Sequence, residues 1–259
     1  MSLNFSKISI KNVHKSFGGN IVLDGLNLEI QKGQSMVIIG ASGTGKSVLL
    51  KNIIGLLQPD QGSIKINGEE TVGISWNRKQ KFLKKVGMLF QNAGLFDSLT
   101  VWENVAFPLL QDKSFDRKRA QKKAIEKLSE VGLTSDTANL MPAELSGGMK
   151  KRVGLARAIA TDPEIIFFDE PTTGLDPIMG EIINELIIEK VQQLGATTLS
   201  ITHDISSAKK IGTKIAMIYG GKIIWVGEVS ELNSSGNKYV DQFIQGSAEG
   251  PIQMDFKPC

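Results

Sequence analysis

The sequence predicts an α/β fold built on a largely parallel sheet, with a helical segment inserted into it. In both halves of the chain, short apolar runs alternate with patterns of helical periodicity, and this alternation is typical of parallel βαβ units. The middle, around residues 112–131, is charged instead, with apolar residues at helical spacing. The 259 residues are 41% hydrophobic and 22% charged, which fits a globular chain and excludes collagen-like and disordered classes.

The N-terminal part is expected to begin with three strands. Alternating apolar residues indicate half-buried strands at 8–13 and 26–30, joined by a glycine-containing turn at 17–20. The run 36–39 is apolar throughout, which indicates a fully buried strand.

The segments that follow are predicted to be mainly helical. A helix should cover 47–57 and end before Pro59, and a strand should cover 62–67. Residues 112–131 predict a solvated amphipathic helix, because acidic and basic residues are mixed on its polar face. A further helix is expected at 150–161.

Beyond residue 163 the alternation of strands and helices resumes. We expect strands at 164–168, Thr197–Thr202, Lys214–Tyr219 and 222–227, and helices at Pro177–Leu194 and Ile205–Ile211. The last two strands flank a glycine pair and should form a terminal strand pair.

Composition excludes several functional classes. Thirty basic and 27 acidic residues give a net charge of +3, which is too balanced for a dense nucleic-acid-binding face. The single cysteine, Cys259, cannot form an internal disulfide, so a reducing cytoplasm is expected. There is no apolar stretch of the roughly 20 residues that a membrane helix needs, and the N-terminus lacks the apolar region of a secretory signal.

A phosphate-binding loop is predicted between the buried strand 36–39 and the following helix. Residues 40–47 match the pattern G-x-x-x-x-G-K-[ST] in full. Glycines let successive backbone N–H groups point at phosphate oxygens, and the helix adds its positive end. The alternative is a glycine-rich turn that matches by chance. The candidate nucleotide ligands are Gly40, Ala41, Ser42, Gly43, Thr44, Gly45, Lys46 and Ser47.

Two carboxylates follow the apolar run 165–168. Because ligands of open α/β sheets bind at the carboxyl ends of strands, Asp169 is predicted to hold Mg²⁺ together with Ser47, and Glu170 to orient or deprotonate a water. The alternative is that both carboxylates only solvate the strand end.

A second anion-binding geometry is predicted at Ser146, Gly147 and Gly148, which begin a basic helical stretch. One ATP does not need two such cradles in one chain. The pattern therefore suggests that two copies of the chain share each ATP.

These ordered motifs resemble the ATP-binding subunit of ABC transporters over about residues 7–245. Residues 40–47 match Walker A, 165–170 match Walker B, and 145–149 match the LSGGQ signature with Met149 in place of the final glutamine. The matching single positions are Phe17 (adenine stacking), Gln91 (Q-loop), Asp176 (D-loop) and His203 (switch histidine).

The resemblance implies a P-loop NTPase fold: a RecA-like core with an N-terminal antiparallel β element. It implies an ABC ATPase domain at 6–246, with a helical subdomain at about 92–156. The chain would be an ATPase using ATP and Mg²⁺. Lys46, Glu170 and His203 would be catalytic, and Gln91 would contact ATP and Mg²⁺. In a head-to-tail homodimer, Ser146, Gly147 and Gly148 would act on the partner's ATP.

Within that family, residues 90–109, 145–149, 174–178 and 242–251 resemble Mla-type phospholipid transporters. The resemblance implies an ATP-hydrolysing subunit that powers phospholipid transport between the inner and outer membranes. It would act at the cytoplasmic face of the bacterial inner membrane, with an integral membrane permease and a periplasmic lipid-binding subunit. The alternatives are an importer ATPase for amino acids or other small solutes, a lipid extraction-type exporter, a P-loop kinase or GTPase, and a non-transport ABC ATPase acting on DNA or the ribosome.

Two segments have open interpretations. Ala93, Leu95 and Phe96 are either a docking face for the permease or ordinary core. The C-terminal extension at 247–259 is either a frayed end or an extended segment that contacts the partner subunit. The second reading rests on the alternation of Ile252, Met254 and Phe256 with polar residues.

Overall fold

A computed structural model describes residues 6–111 and 115–253. Within these ranges the strands are β1 (Ser6–Phe17), β2 (Asn20–Gln31), β3 (Ser35–Ile39), β4 (Gln61–Ile66), β5 (Glu69–Glu70), β6 (Val86–Leu89), β7 (Ile165–Asp169), β8 (Thr197–Thr202), β9 (Lys214–Tyr219) and β10 (Lys222–Glu228). The α-helices are α1 (Lys46–Ile53), α2 (Trp76–Leu83), α3 (Val101–Leu110), α4 (Arg117–Glu130), α5 (Gly147–Ala158), α6 (Pro177–Leu194), α7 (Ile205–Ile211) and α8 (Lys238–Gln245).

The strands form two sheets. The larger has the order β10-β9-β3-β8-β7-β6, in which only β10 is antiparallel to its neighbour. The smaller is antiparallel, with the order β2-β1-β4-β5. The predicted α/β fold with a largely parallel sheet is confirmed, and so is the N-terminal antiparallel β element.

The hydrophobic core lies on both faces of the parallel sheet. One layer joins that sheet to α1 and the antiparallel sheet, and the other joins it to the helices α3–α6. Successive strand residues point to opposite faces, so Phe167 packs in the first layer and its neighbour Phe168 in the second. Strand β7 therefore packs into both layers of the core.

Three predicted helices have different bounds in the structure. Helix α1 ends at Ile53 rather than residue 57, because Gly55 adopts a left-handed conformation (φ 74°). Helix α4 begins at Arg117, since the Asp116 carboxylate accepts the backbone N–H of Arg119 at 2.8 Å and caps it. Residues 112–114 of the predicted helix lie outside the described residues. The helix predicted at 150–161 covers 147–158.

Three helices were not predicted, although two carry sequence signals. Helix α3 begins with a reciprocal capping box between Thr100 and Glu103, and α8 lies between an Asn237 N-cap and a left-handed Gly246. Helix α2 has no fully buried residue, and Phe82 packs half-buried against the core.

The beginning of the C-terminal extension packs on its own chain. Ile252 is buried, its N–H donates to Oε1 of Gln242 at 2.7 Å, and its carbonyl accepts from Nε2 of the same side chain at 3.1 Å. Ile252 therefore packs on α8 of its own chain. Met254 and Phe256 lie outside the described residues, and contact between the end of the chain and a partner stays a prediction.

An ion-pair cluster links the two sheets at Glu164, just before β7. Its carboxylate lies 2.7 Å from Nζ of Lys7 and 3.0 Å from Nζ of Lys85. The Lys7 hydrogen bond, followed by that of Lys85, lowers the pKa of Glu164 from 4.5 to about 2.

Glu164→Gln is expected to lower the free energy of unfolding at pH 7 by less than about 1 kcal/mol, because the side chain of Glu164 is 43% exposed. A depressed carboxylate pKa stabilises the fold above 4.5, and this stabilisation is lost as the pH falls toward about 2. The difference from wild type should therefore shrink below pH 4.5 in urea titrations. Glu69→Gln is the matched exposed control, and an equal pH-dependent loss in that variant would contradict the assignment.

Candidate functional site

The loop at residues 40–47 joins β3 to α1. It lies close to the backbone of two other segments, one on each side. A Cβ added to Gly40 would lie 2.7 Å from the carbonyl oxygen of Ile218, and one on Gly45 would lie 2.9 Å from that of Val22. Gly45 is also the N-cap of α1, with φ 99° and no side-chain cap. The first N–H groups of α1 therefore have no capping side chain and are available to an anion.

The side-chain ammonium of Lys46 lies inside this loop. The residue is 7% exposed, and Nζ donates to the carbonyl oxygens of Gly40 at 2.6 Å and Ala41 at 3.0 Å. Burial lowers the pKa of Lys46, and the nearby Glu170 and Asp169 carboxylates oppose that shift. Ser47 lies beside it on the first turn of α1 and is exposed. The loop thus combines free N–H groups, a hydroxyl and a sheltered ammonium, which suits a polyphosphate.

Asp169, at the carboxyl end of β7, fits a cation. Its Oδ1 atom is buried and has no hydrogen-bond partner in the described part of the chain. Burial raises the pKa of Asp169, as does Glu170 beside it, while Lys51, Lys151 and Lys46 act in the opposite direction. A buried acceptor without a donor is costly unless a cation or water satisfies it, and Mg²⁺ binds such carboxylate oxygens.

The Glu170 carboxylate is held by three side chains. Nδ1 of His203 lies 3.0 Å from Oε1, while the hydroxyls of Thr173 and Thr202 donate to Oε2 at 2.9 and 3.2 Å. Glu170 itself has a left-handed backbone (φ 49°), which is strained for a residue other than glycine. The structure therefore brings Glu170 and His203 together. Thr173 and Thr202 were missed, although Thr202 is the last residue of the predicted strand before His203.

Gln91 follows β6, which pairs with β7 in parallel, so Gln91 and Asp169 lie at the same sheet edge. The carbonyl oxygen of Gln91 accepts Nζ of Lys151 at 2.6 Å, and the same amine donates to the carbonyl oxygen of Glu170 at 3.0 Å. Burial lowers the pKa of Lys151 to about 8 despite the nearby Asp169 and Glu170 carboxylates. Sequence reasoning missed Lys151, because it lies in a basic run in which nothing distinguishes it.

Phe17 lies at the tip of the β1-β2 hairpin and is 45% exposed. Nζ of Lys15 is 5.3 Å from its ring centroid. Asp60 fixes the strand beside it, accepting from Nζ of Lys15 and from the backbone N–H of Ser16, both at 2.7 Å. The Lys15 hydrogen bond, followed by those of Ser16, lowers the pKa of Asp60 to about 2. The hairpin thus presents an aromatic face on a held backbone.

The signature residues pack against the start of α6 and not against the phosphate loop. The Ser146 hydroxyl caps α5, and a Cβ on Gly148 would clash with the side chain of Met179 in α6. Asp176 caps α6 by accepting two backbone N–H groups at 3.0 Å each. Among the described residues, no hydrogen bond joins 146–148 to 40–47.

A groove of about 650 Å³ extends from this site between α3, α5 and the segment after β6. Its lining includes Gln91 and Asp169 as well as Phe90, Phe96 and Phe107, whose side chains are each more than a third exposed. The rings of Phe96 and Phe107 are 4.7 Å apart between centroids. An exposed aromatic surface therefore adjoins the candidate site.

Residues 93–96 were expected to be either a docking face or ordinary core, and the structure shows both kinds of residue there. Ala93 is buried in the core, whereas Phe96 is 44% exposed. Asn104 fixes Phe96 from below, because its fully buried amide accepts the N–H of Phe96 at 2.7 Å and donates to its carbonyl at 3.1 Å. Ala93 is therefore core, and Phe96 is available to a partner.

Two features are absent from the described residues. No group of three or more His, Cys, Asp or Glu side chains in that part of the chain could hold a metal ion. No helix in the same part has the length and apolar character needed to cross a bilayer. Mg²⁺ bound here would rely on Ser47, Asp169 and substrate phosphates, which is how this ion is commonly held.

Comparisons with known proteins establish the family. The sequence profile of the ABC transporter family matches residues 23–173. The chain belongs to the ABC transporter family. It is the ATPase subunit of such a transporter, and it binds and hydrolyses ATP. The fold, enzyme class and nucleotide predicted from the motifs are therefore confirmed.

Relatives of this ABC ATPase cover nearly its whole length. The Intermembrane phospholipid transport system ATP-binding protein MlaF of Haemophilus influenzae is 38% identical, over 98% of this chain and 96% of that protein. Protein TRIGALACTOSYLDIACYLGLYCEROL 3, chloroplastic, of Arabidopsis thaliana is 39% identical, over 95% of this chain and 75% of that protein. Among solved structures, the dimeric ATP-binding cassette MJ0796 bound to ADP and Pi superimposes with a TM-score of 0.79 at 34% identity, over 86% of this chain and 98% of that one.

Proposed function

We propose that this chain is the ATPase subunit that powers phospholipid transport between two membranes. The ATPase part of this proposal rests on the position of the Glu170 carboxylate, which is hydrogen-bonded to His203 beside a phosphate-binding loop. The lipid part is supported by 38% identity to MlaF over nearly the full length of both proteins. The ATPase would comprise residues 6–246, with the helical subdomain at about 92–156.

ATP would be bound at one end by Phe17 and at the other by residues 40–47. The exposed ring of Phe17 offers a face for adenine. Lys46, now hydrogen-bonded to two loop carbonyls, would exchange them for phosphate oxygens, which are stronger acceptors for an ammonium.

Mg²⁺ would be held by Ser47 and Asp169, with Gln91 as a further ligand. When bound, the ion neutralises phosphate charge and orients the terminal phosphate. The unpartnered Oδ1 of Asp169 supports this assignment.

Glu170 would orient the attacking water and accept its proton. Thr173 and Thr202 keep the carboxylate in one orientation, so that little reorganisation is needed when the water is bound. His203, with its side chain 55% exposed beside Glu170, would contact the terminal phosphate.

The active assembly would be a head-to-tail homodimer. Ser146, Gly147 and Gly148 lie away from their own phosphate loop, which leaves the N-terminus of α5 available to the ATP of the partner. Asp176, at the neighbouring start of α6, would lie at the same interface.

An integral membrane permease would dock on the aromatic groove, and a periplasmic lipid-binding subunit would complete the complex at the inner membrane. The exposed Phe96 and Phe107 rings support docking at this groove. The proposal is tested by purifying the tagged chain from native membranes and measuring ATP-dependent lipid transfer between vesicles. Co-purification with a permease and bound phospholipid is expected. A soluble solute-binding protein without lipid would support the importer alternative instead.

Phe96→Asp is expected to prevent docking of the permease and so to abolish lipid transfer. A charge on this surface should block apolar docking, so permease co-purification and lipid transfer should be lost, while the isolated chain keeps its ATP affinity. Val226→Asp is the matched control, because Val226 is similarly exposed on β10, outside the groove. Equal permease recovery with both variants would contradict docking at Phe96.

A further inference from the structure

Lys151 directs its ammonium to backbone carbonyls and not to carboxylates, as Lys46 does in the phosphate loop. It is 5% exposed, and its two hydrogen bonds go to backbone carbonyls, those of Gln91 and Glu170. By contrast, Lys127 and Lys190, which are equally buried, bind carboxylates. Lys151 therefore joins the carboxyl ends of two neighbouring strands, β6 and β7, at the residues proposed to act on the terminal phosphate.

The same lysine lies on the helix that serves the other nucleotide. Helix α5 begins at Gly147, and Lys151 follows four residues later, about one turn or 6 Å along the axis. A helix of this length moves as a unit, so a displacement at residues 146–148 reaches Lys151. One side chain thus connects Gln91 and Glu170 of its own site to the signature residues of the partner's site.

We propose that Lys151 is a positioning residue that couples the two shared ATP sites of the dimer. When the N-terminus of α5 closes on the partner's ATP, the ammonium draws the carbonyls of Gln91 and Glu170 into register. The reverse also holds: ordered Gln91 and Glu170 backbones fix α5 for the partner. This inference rests on the proposed function and on its shared-site dimer.

A purely local role makes a different prediction. The left-handed backbone of Glu170 needs support from its surroundings, and Lys151 could supply that support alone. Its loss would then impair only the site that contains its own Glu170. The two roles are separated by asking which of the two sites in a dimer is impaired.

Mixed dimers provide that test, with Glu170→Gln as the silent chain, since it is expected to bind ATP without hydrolysing it. In the first mixture, a limiting Lys151→Met chain meets excess Glu170→Gln chain, and turnover reports the site next to the missing lysine. In the second, a limiting wild-type chain meets excess chain carrying both Glu170→Gln and Lys151→Met, and turnover reports the opposite site. The reference is wild type with Glu170→Gln.

Both mixtures are expected to turn over ATP about tenfold to a hundredfold more slowly than the reference, the effect of a small misplacement of reacting groups. The effect should fall on kcat, with KM for ATP little changed, and Lys151→Arg should restore most of the rate in both mixtures. Lys190→Met, which removes a lysine of equal burial on α6, should leave both rates unchanged.

Loss in the first mixture alone, or in neither, would overturn the coupling. If Lys151→Met does not fold, Lys151→Gln, whose shorter amide reaches at most one carbonyl, replaces it in the same comparison. Failure of the proposed shared-site dimer is distinguishable, because a mixture of Lys46→Ala and Gly147→Glu chains, both of which keep Lys151, would then recover no hydrolysis.

Discussion

Glu170→Gln is expected to reduce ATP turnover by about 10²–10⁴-fold, the usual effect of losing a general base or water-orienting group. The amide has nearly the same shape as the carboxylate and still offers an oxygen to the hydroxyls of Thr173 and Thr202, whose bonds to Oε2 measure 2.9 and 3.2 Å. It cannot accept a proton from water. MgATP affinity should therefore stay near that of wild type, and the ATP-bound dimer should accumulate.

Phosphate release measures the turnover, calorimetry with MgATP measures the affinity, and size-exclusion chromatography measures the dimer. Glu189→Gln makes the same chemical change on the exposed side of α6 and serves as the control. Near-normal hydrolysis by Glu170→Gln would remove Glu170 from the role proposed for it.

The parts of this molecule that were predictable are those in which the signal is local. The run 36–39 is apolar throughout, and β3 is buried along its whole length. Pro177 and Gly195 bound α6 as proline and glycine commonly bound helices. The glycines of the phosphate loop were predictable for the same reason, because their close approach to backbone is a property of a short segment.

The remaining features depend on contacts between residues far apart in the chain. The role of Lys151 depends on hydrogen bonds to carbonyls that lie 60 and 19 residues away in the sequence. The role of Asn104 depends on its hydrogen bonds to the backbone of Phe96. Helix α2 has no fully buried residue, so no buried apolar face marks it in the sequence. At Ile252, alternation predicts an extended segment but not which chain the segment packs on.

The second large effect concerns complementation between two inactive chains. Lys46→Ala removes the ammonium of the phosphate loop, which should weaken MgATP binding by about 1.5–3 kcal/mol, the usual contribution of a hydrogen bond to a charged group. Gly147→Glu should block the signature instead, while the chain itself stays folded. A Cβ at Gly147 meets nothing closer than 3.8 Å, whereas one at Gly148 would clash with the side chain of Met179.

Each variant alone should hydrolyse ATP very slowly. Mixed in equal amounts, they should recover about a quarter of wild-type turnover, since half of the dimers are mixed and each of these has one intact site of two. Gly147→Glu should bind MgATP as wild type does when it is monomeric, because its own phosphate loop is unchanged. Melting temperatures of both variants check that the chains are folded. If the mixture hydrolyses no faster than the average of the two variants, each site is complete within one chain, and residues 146–148 have no role across the dimer.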